Sequence, residues 1–198
     1  MSYLAKPERK ALILSAAIEM TLKEGLESLT ARSVTMHAGI STGQIYHHYQ
    51  SISELRAEVF KTISSQYFQE SLKTGLNAYD LLIFMLLPDE SEDIRSYLKL
   101  WRDAEKLIEK DQLLHLAYQK AIDCWHSLLT DTLEKGVSEN IFTINCGSAD
   151  EVAWRLVATS FGLEKLLTAK PTDFKNCHVS MYLKVFVNHE IKLKKSIS

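Results

Sequence analysis

Apolar residues recur along this chain at intervals of three and four, the spacing of one helical face, and rarely alternate with period two. Leu12, Ile13, Ala16, Ala17 and Met20 form such a stripe and predict a helix over 7–24. The same reading predicts short helices over 31–38 and 42–48, with Gly39-Ile40-Ser41 between them. A long fourth helix follows over 52–74. Further helices are expected at 78–87, 92–110, 112–135, 149–169 and 171–194, with a loop over 136–147. Punctuation agrees. Pro7, Pro88 and Pro171 sit where periodic segments start or stop, and Gly25, Gly75 and Gly136 close apolar stretches as C-terminal caps do. Three starts carry a capping box: Ser41 with Gln44, Ser51 with Glu54, and Ser148 with Glu151. The fold class predicted is all-α, with about nine helices.

Composition narrows the classes. At 198 residues, 46% hydrophobic and 24% charged, the chain can bury a sizeable core and is neither disordered nor membrane-embedded. Its longest apolar run, 81–87, is far short of the ~20 residues that span a bilayer. The opening MSYLAKPERK carries no pattern of a secretory leader. Cys124, Cys146 and Cys177 are scattered and odd in number, so neither a disulfide framework nor a structural zinc site is expected, and a cytoplasmic setting is the default. The formal net charge of −2 taken alone argues against a polyanionic partner.

The local pattern of residues 30–49 reverses that. Two short helices are joined by a turn where Gly39 permits a positive φ. Val34, Ala38, Ile40, Ile45 and Tyr49 are spaced to point inward. Arg32, Thr42, Gln44, Tyr46, His47 and His48 are left outside, all able to donate hydrogen bonds and none acidic. Gly43 costs helix propensity early in the second helix, which makes sense where backbone approaches something closely. A recognition helix in the major groove accounts for all three features. Residues 1–50 carry five basic and four acidic side chains, and no acid occurs from Ser28 to Ser53. The negative balance therefore belongs to the remainder.

The segment resembles the DNA-binding domain of the TetR family of bacterial transcriptional regulators. The resemblance rests on Ala16-Ala17-Ile18-Glu19-Met20, Gly25, Thr30, Val34, the run Ala38-Gly39-Ile40-Ser41-Thr42-Gly43-Gln44-Ile45-Tyr46, then Tyr49, Ser51 and Leu55. It covers about the first quarter of the chain. Three positions depart from the pattern: Ile52 replaces a lysine that typically holds a phosphate, Thr35 a small alanine, and Tyr49 a phenylalanine. The resemblance implies a helix-turn-helix domain over 1–50 and a helical effector-binding and dimerisation domain over 51–198. It implies base-edge contact by Thr42, Gln44 and His47, and phosphate contact by Tyr46 and His48. Lys6, Arg9 and Lys10 of the N-terminal arm, with Arg32, Ser41 and Gly43, complete the expected DNA surface. Gln44 could pair with adenine N6/N7 or simply complete the capping box with Ser41. Thr30 reads as an N-cap that can also meet DNA. His47 and His48 are adjacent, point to different helix faces and have no cysteine or carboxylate nearby, so no metal site is expected, and no cofactor.

In the C-terminal three quarters, the last two helices are apolar nearly all round. That suits helices packed on their own core on one side and on a second copy on the other. Leu156, Gly162, Leu163, Leu167, Met181, Tyr182, Val185 and Phe186 are the expected interface, the alternative being plain intrachain packing. By the resemblance, the middle helices hold a small-molecule effector. Tyr67, Trp101, Asp103, Tyr118, Trp125 and Trp154 are the candidates, since aromatic faces beside a carboxylate can cage an organic cation. Residues 156–173, with Leu-Thr-Ala-Lys-Pro-Thr-Asp, also faintly resemble the choline-responsive betaine-pathway repressors. The bland alternative is that these aromatics fill a helical core. No nucleophile motif, phosphate loop or paired-carboxylate motif appears, so an enzyme is not expected. The expectation is a homodimeric repressor that small molecules release from operator DNA. The competing reading is a helical ligand-binding or interaction protein with a degenerate head.

Overall fold

The computed structural model describes residues 6–86, 92–174 and 176–194. Among these, nine α-helices follow in order: α1 Lys6–Glu24, α2 Ala31–Ala38, α3 Thr42–His48, α4 Ile52–Leu72, α5 Ala78–Leu86, α6 Glu92–Leu107, α7 Gln112–Ser138, α8 Ala149–Ala169 and α9 Asn176–Glu190. A 3-10 turn, Leu26–Ser28, links α1 to α2, and two short strands, β1 Phe142–Ile144 and β2 Ile191–Leu193, pair near the end of the chain. Packing divides the chain into two compact units, residues 1–67 with 89–121, and residues 68–88 with 122–198.

In the first unit, α1 buries Ile13, Ala16, Ala17 and Met20 of the predicted stripe together with Thr21, whereas Leu12 is exposed, and it packs on α2 and on the 3-10 turn. Leu26, Leu29, Val34, Ile45 and Tyr49 join Leu55, Val59 and Phe60 of α4 in the buried interior. Each of these aliphatic side chains contributes roughly 1.5–3 kcal/mol on full burial. That interior fixes how α2 and α3 sit on α1. Gly25, at φ +100°, turns the chain out of α1, and Gly39, at φ +64°, caps α2 in the left-handed region as the sequence predicts.

In the second unit, α5 is buried at Ala78, Leu81, Leu82, Ile83, Met85 and Leu86, which accounts for its almost unbroken apolar sequence. It packs against α8 and α9, with Leu129 and Leu133 of α7 in the same core.

Three expectations need correction. The last helix does not run over 171–194. α9 ends at Glu190, and Ile191-Lys192-Leu193 becomes β2, antiparallel to β1 in the expected loop, with Ile144 opposite Ile191 and Phe142 opposite Leu193. Period-two alternation with Phe142 and Ile191 fully buried favours the strand there. Asn145 N–H to Glu190 O at 2.8 Å and Lys194 N–H to Ile141 O at 2.9 Å seal its two ends. Gly136 is no cap: it lies inside α7, where an added Cβ would fall 2.1 Å from the Phe142 ring. Leu156 and Leu163 belong to the core of their own unit, 1% and 7% exposed, and so cannot face a second copy. Pro88 lies outside the described residues.

Candidate nucleic-acid interface

The head is built from local bonds. Thr30 caps α2: its Oγ1 accepts Ser33 N–H at 3.1 Å, while Thr30 N–H donates to Ser33 Oγ at 2.9 Å. At the far end Gly39 N–H and Ile40 N–H both return to Thr35 O, closing α2 and aiming the chain into α3. Thr35, the departure from the family's alanine, is accommodated by donating its hydroxyl to Arg32 O at 2.8 Å. Ser41 N–H donates to Gln44 Oε1 at 2.9 Å, and the Ser41 hydroxyl also donates to that oxygen at 3.5 Å. The capping role of Gln44 is therefore present. Ser51 and Glu54 cap α4: Glu54 N–H reaches Ser51 Oγ at 3.1 Å, and Glu54 Oε2 accepts Gln50 N–H at 2.6 Å.

With Val34, Ile45 and Tyr49 inward, Arg32, Ser41, Thr42, Gly43, Tyr46 and His47 are exposed, and Gln44 and His48 are half-buried at the same surface. A Cβ on Gly43 would meet nothing nearer than Ser41 Oγ at 4.0 Å, so its backbone lies open to an approaching molecule. The His47 and His48 rings meet edge to face at 5.2 Å. Burial, then the charges of His47, Lys6, Arg9 and Lys10, holds the His48 imidazole below its usual range. Lys10 itself is engaged, pairing with Glu58 at 2.9 Å and lying 5.0 Å over the Tyr49 ring. The Tyr49 hydroxyl, absent from the family's phenylalanine, is buried without a hydrogen-bond partner among the described residues. Burial and the nearby Glu58 and Glu54 push its ionisation well up.

Two supports of this head escape sequence reasoning. Arg56 of α4 donates to Asp111 Oδ2 at 2.7 Å and to Leu29 O at 3.1 Å; Asp111 also takes Leu114 N–H at 3.0 Å and the Ser53 hydroxyl. Asp111 preceding Gln112-Leu113-Leu114 has the signature of a helix N-cap, so half of that network could have been found. The second support is α6, which grips the 3-10 turn through Lys99, Asp103 and Lys106.

The effector candidates fall in both units. In the first, Tyr67 stacks on Tyr97 at 4.0 Å, and Trp101 meets Tyr118 at 5.1 Å and Phe60 at 5.3 Å. The carboxylate beside these rings is Glu105, which accepts the Tyr118 hydroxyl at 3.1 Å. Asp103, expected there, is buried and turned to the Leu26 backbone instead. In the second unit, Trp125 packs on Phe161 at 5.7 Å, and half-exposed Trp154 stacks on His126 at 4.1 Å. On the outer side of α8 and α9, Gly162, Leu166, Met181, Tyr182, Val185 and Phe186 are exposed, while Leu167 packs partly into the core. No helix among the described residues is long and apolar enough to cross a membrane.

Comparison with known proteins agrees with this geometry. Residues 13–59 match the family model described as bacterial regulatory proteins, tetR family. The HTH-type transcriptional repressor KstR2 of Mycolicibacterium smegmatis is 25% identical over 140 residues, covering 68% of this chain and 67% of that one. Two solved structures share the fold. A transcriptional regulator from Saccharomonospora viridis in complex with choline has a TM-score of 0.75 at 21% identity, covering 96% of this chain and all of that one. A TetR-family regulator from Cytophaga hutchinsonii reaches 0.77 at 13% identity, covering 98% of this chain and all of that one. The helix-turn-helix head, the nine-helix order and these likenesses converge: residues 13–59 form a DNA-binding head of the TetR family of bacterial regulatory proteins, on a chain that shares the fold of TetR-family regulators.

Proposed function

We propose that this regulator is a homodimeric repressor that lays α3 in the major groove of an operator and is released by a small organic cation. The observation that carries the DNA reading is the exposed face of α2 and α3, neither of which contains an acidic residue. There Arg32, Thr42, Gln44, Tyr46, His47 and His48 present hydrogen-bond donors around the bare backbone of Gly43. In this reading Thr42, Gln44 and His47 contact base edges, and Tyr46, His48, Lys6 and Arg9 contact phosphates. Lys10 is bound to Glu58, so it contributes less than its position in the arm suggests.

A second copy suits the outer face of α8 and α9. Met181, Tyr182, Val185 and Phe186 on α9 and Leu166 on α8 are large apolar side chains that a monomer would leave in water. Two-fold symmetry then presents two α3 helices to half-sites about one helical turn of DNA apart. For the effector, Tyr67, Tyr97, Trp101 and Tyr118 with Glu105 supply aromatic faces and a carboxylate, the chemistry that holds a quaternary ammonium. The choline complex of the Saccharomonospora viridis regulator supports that class.

The test is binding of the full chain to the DNA flanking its own gene across a salt series. The expected result is steep loss of affinity with salt, at a log–log slope of about −0.9 per neutralised phosphate. Weak, salt-independent binding to every duplex would overturn the DNA reading in favour of a ligand-binding protein with a degenerate head.

A further inference from the structure

We propose that Gln44 reads guanine through its amide N–H2 donors alone, because Ser41 occupies its amide oxygen. The inference rests on the DNA-binding reading above and goes beyond it by fixing the base class that one side chain selects.

Gln44 stands at the third position of α3, half-exposed on the acid-free face, beside Thr42 and Gly43. Two donors from one residue converge on Oε1: the Ser41 backbone N–H at 2.9 Å and the Ser41 hydroxyl at 3.5 Å. The backbone bond is the firm one and takes one lone pair of the carboxamide oxygen; the hydroxyl, at the far edge of hydrogen-bonding range, crowds the other. The orientation of the amide follows from chemistry. A backbone N–H can only donate, and turning the amide over would set Nε2 against it, donor to donor, leaving a helix-start N–H without its partner. The bond that caps α3 therefore also fixes which end of Gln44 faces outward.

The usual glutamine reading of adenine is bidentate, with the oxygen accepting from N6 while the nitrogen donates to N7. With Oε1 drawn back onto Ser41, that pairing has to share or break the bond that caps α3, which disfavours it. Two N–H donors remain, and the base edge that offers two acceptors side by side in the major groove is guanine, at O6 and N7. Adenine would place its N6 donor against the Nε2 donors, and cytosine would offer a donor where an acceptor is needed. The surroundings do not compensate: no carboxylate occurs from Ser28 to Ser53. Nor does a side chain at position 43 stand in the way, since that residue is glycine.

The experiment begins with selection of sites by the full-length protein from a randomised duplex library. Affinities are then measured on the selected duplex with single base replacements. Each half-site is expected to contain a guanine whose replacement by adenine weakens wild-type binding about tenfold or more. Replacement by 7-deazaguanine, which lacks N7, should also weaken binding, whereas inosine, which keeps O6 and N7, should not. In Gln44→Ala the adenine penalty at that position should shrink to about threefold or less. Gln44→Glu keeps an acceptor for the Ser41 N–H and presents a second acceptor outward, so its preference should move to cytosine or adenine, whose amino groups donate. An adenine that depends on Gln44, or a guanine penalty unchanged in both variants, overturns the inference and leaves the DNA-binding reading standing. Failure to enrich any duplex, with no salt-dependent binding, overturns both.

Discussion

The Asp103 carboxylate of α6 accepts the backbone N–H of Leu26 at 3.0 Å, within the turn that Gly25 opens at φ +100°. On either side of it, Lys99 Nζ donates to Glu24 O at 2.8 Å, and Lys106 lies 3.5 Å from Glu27. One face of α6 thus holds the segment that sets the angle between α1 and α2. A displacement of α6 would pull on that turn directly, so Trp101, on the same helix, is coupled by a short path to the joint between α1 and α2.

Asp103→Ala is expected to destabilise the protein by roughly 1–3 kcal/mol, the cost of leaving the buried Leu26 N–H unmatched. For a chain of this length that lowers the melting temperature by about 2–10 °C. Asp103→Asn keeps an acceptor and should recover most of the loss. Thermal unfolding followed by circular dichroism without ligand reads both. Were Asp103 instead part of a cation cage, its removal would leave the unliganded melting temperature alone and change only the shift produced by ligand.

Gly136→Ala should destabilise the protein although it replaces glycine in the middle of a helix. Helix propensity favours alanine by about 1 kcal/mol, but the new Cβ would stand 2.1 Å from a fully buried Phe142 ring. Adding Phe142→Leu to Gly136→Ala removes the obstruction and should restore part of the lost stability. Urea unfolding of the two variants decides it, and a gain in stability for Gly136→Ala alone would show that β1 is not held against α7.

Signals confined to a few neighbouring residues were legible in the sequence. The bounds of α2, α3 and α8 follow from caps at Thr30, Ser41 and Ser148, each bonded within three residues of itself. Val34, Ile45 and Tyr49 follow in the same way from helical spacing, whereas Ala38 and Ile40, expected inward with them, are only partly buried. What escaped depends on partners distant in the chain. Gly136 has the local signature of a cap and becomes a packing site because Phe142 lies over it. Residues 191–193 continue an apolar helix until β1 offers them a ladder. Asp103 beside Trp101 looks like half of a cation site, and nothing local reveals that Leu26, 77 residues away, claims it. Leu156 and Leu163 share an all-round apolar helix with Leu166, and only the packed core separates the inward residues from the outward one.

Val185→Asp combined with Phe186→Asp should convert a dimer into a monomer. Val185 is 60% exposed and Phe186 47%, whereas Leu183 and Val187 of the same helix are fully buried. Charges on the exposed side therefore leave the chain's own core intact. Light scattering after size exclusion should report half the wild-type mass, with melting changed little in the dilute limit. Unaltered mass would place any partner elsewhere.

Acid should loosen the joint between α4 and the start of α7. Burial works against the Asp111 charge, but hydrogen bonds from Ser53, the Leu114 N–H and Arg56 more than offset it and hold its carboxyl below the usual range. A carboxyl depressed in the folded state contributes stability that is complete above its unfolded value, about 3.9, and is lost as pH falls toward the folded value. Asp111→Asn should abolish that part of the acid dependence. It should also cost on the order of 3 kcal/mol at neutral pH, because Arg56 is then left buried beside a neutral partner. Urea midpoints between pH 3 and pH 7 check both statements.

His48 gives the DNA reading a pH dependence of defined sign. Its imidazole is held below 6.5 in the free protein by burial and by His47, Lys6, Arg9 and Lys10, so it is neutral at pH 7. That depression stabilises the free fold above 6.5 and is lost as pH falls toward the folded value. A phosphate beside the ring favours the imidazolium, so the group's pKa must rise when DNA binds, and binding takes up a proton. Affinity should therefore grow as pH falls through the value in the complex, by at most about tenfold per pH unit for one proton, and level off below the free-state value. Ionic strength has to be fixed through the series, since phosphate contacts respond to salt as well. His48→Gln keeps a donor but cannot take up the proton, so it should bind at pH 8 much as wild type does and gain less on acidification. If wild type and His48→Gln change in parallel from pH 8 to pH 6, the ring does not face a phosphate, and the basic cluster around it serves only to draw DNA in at long range.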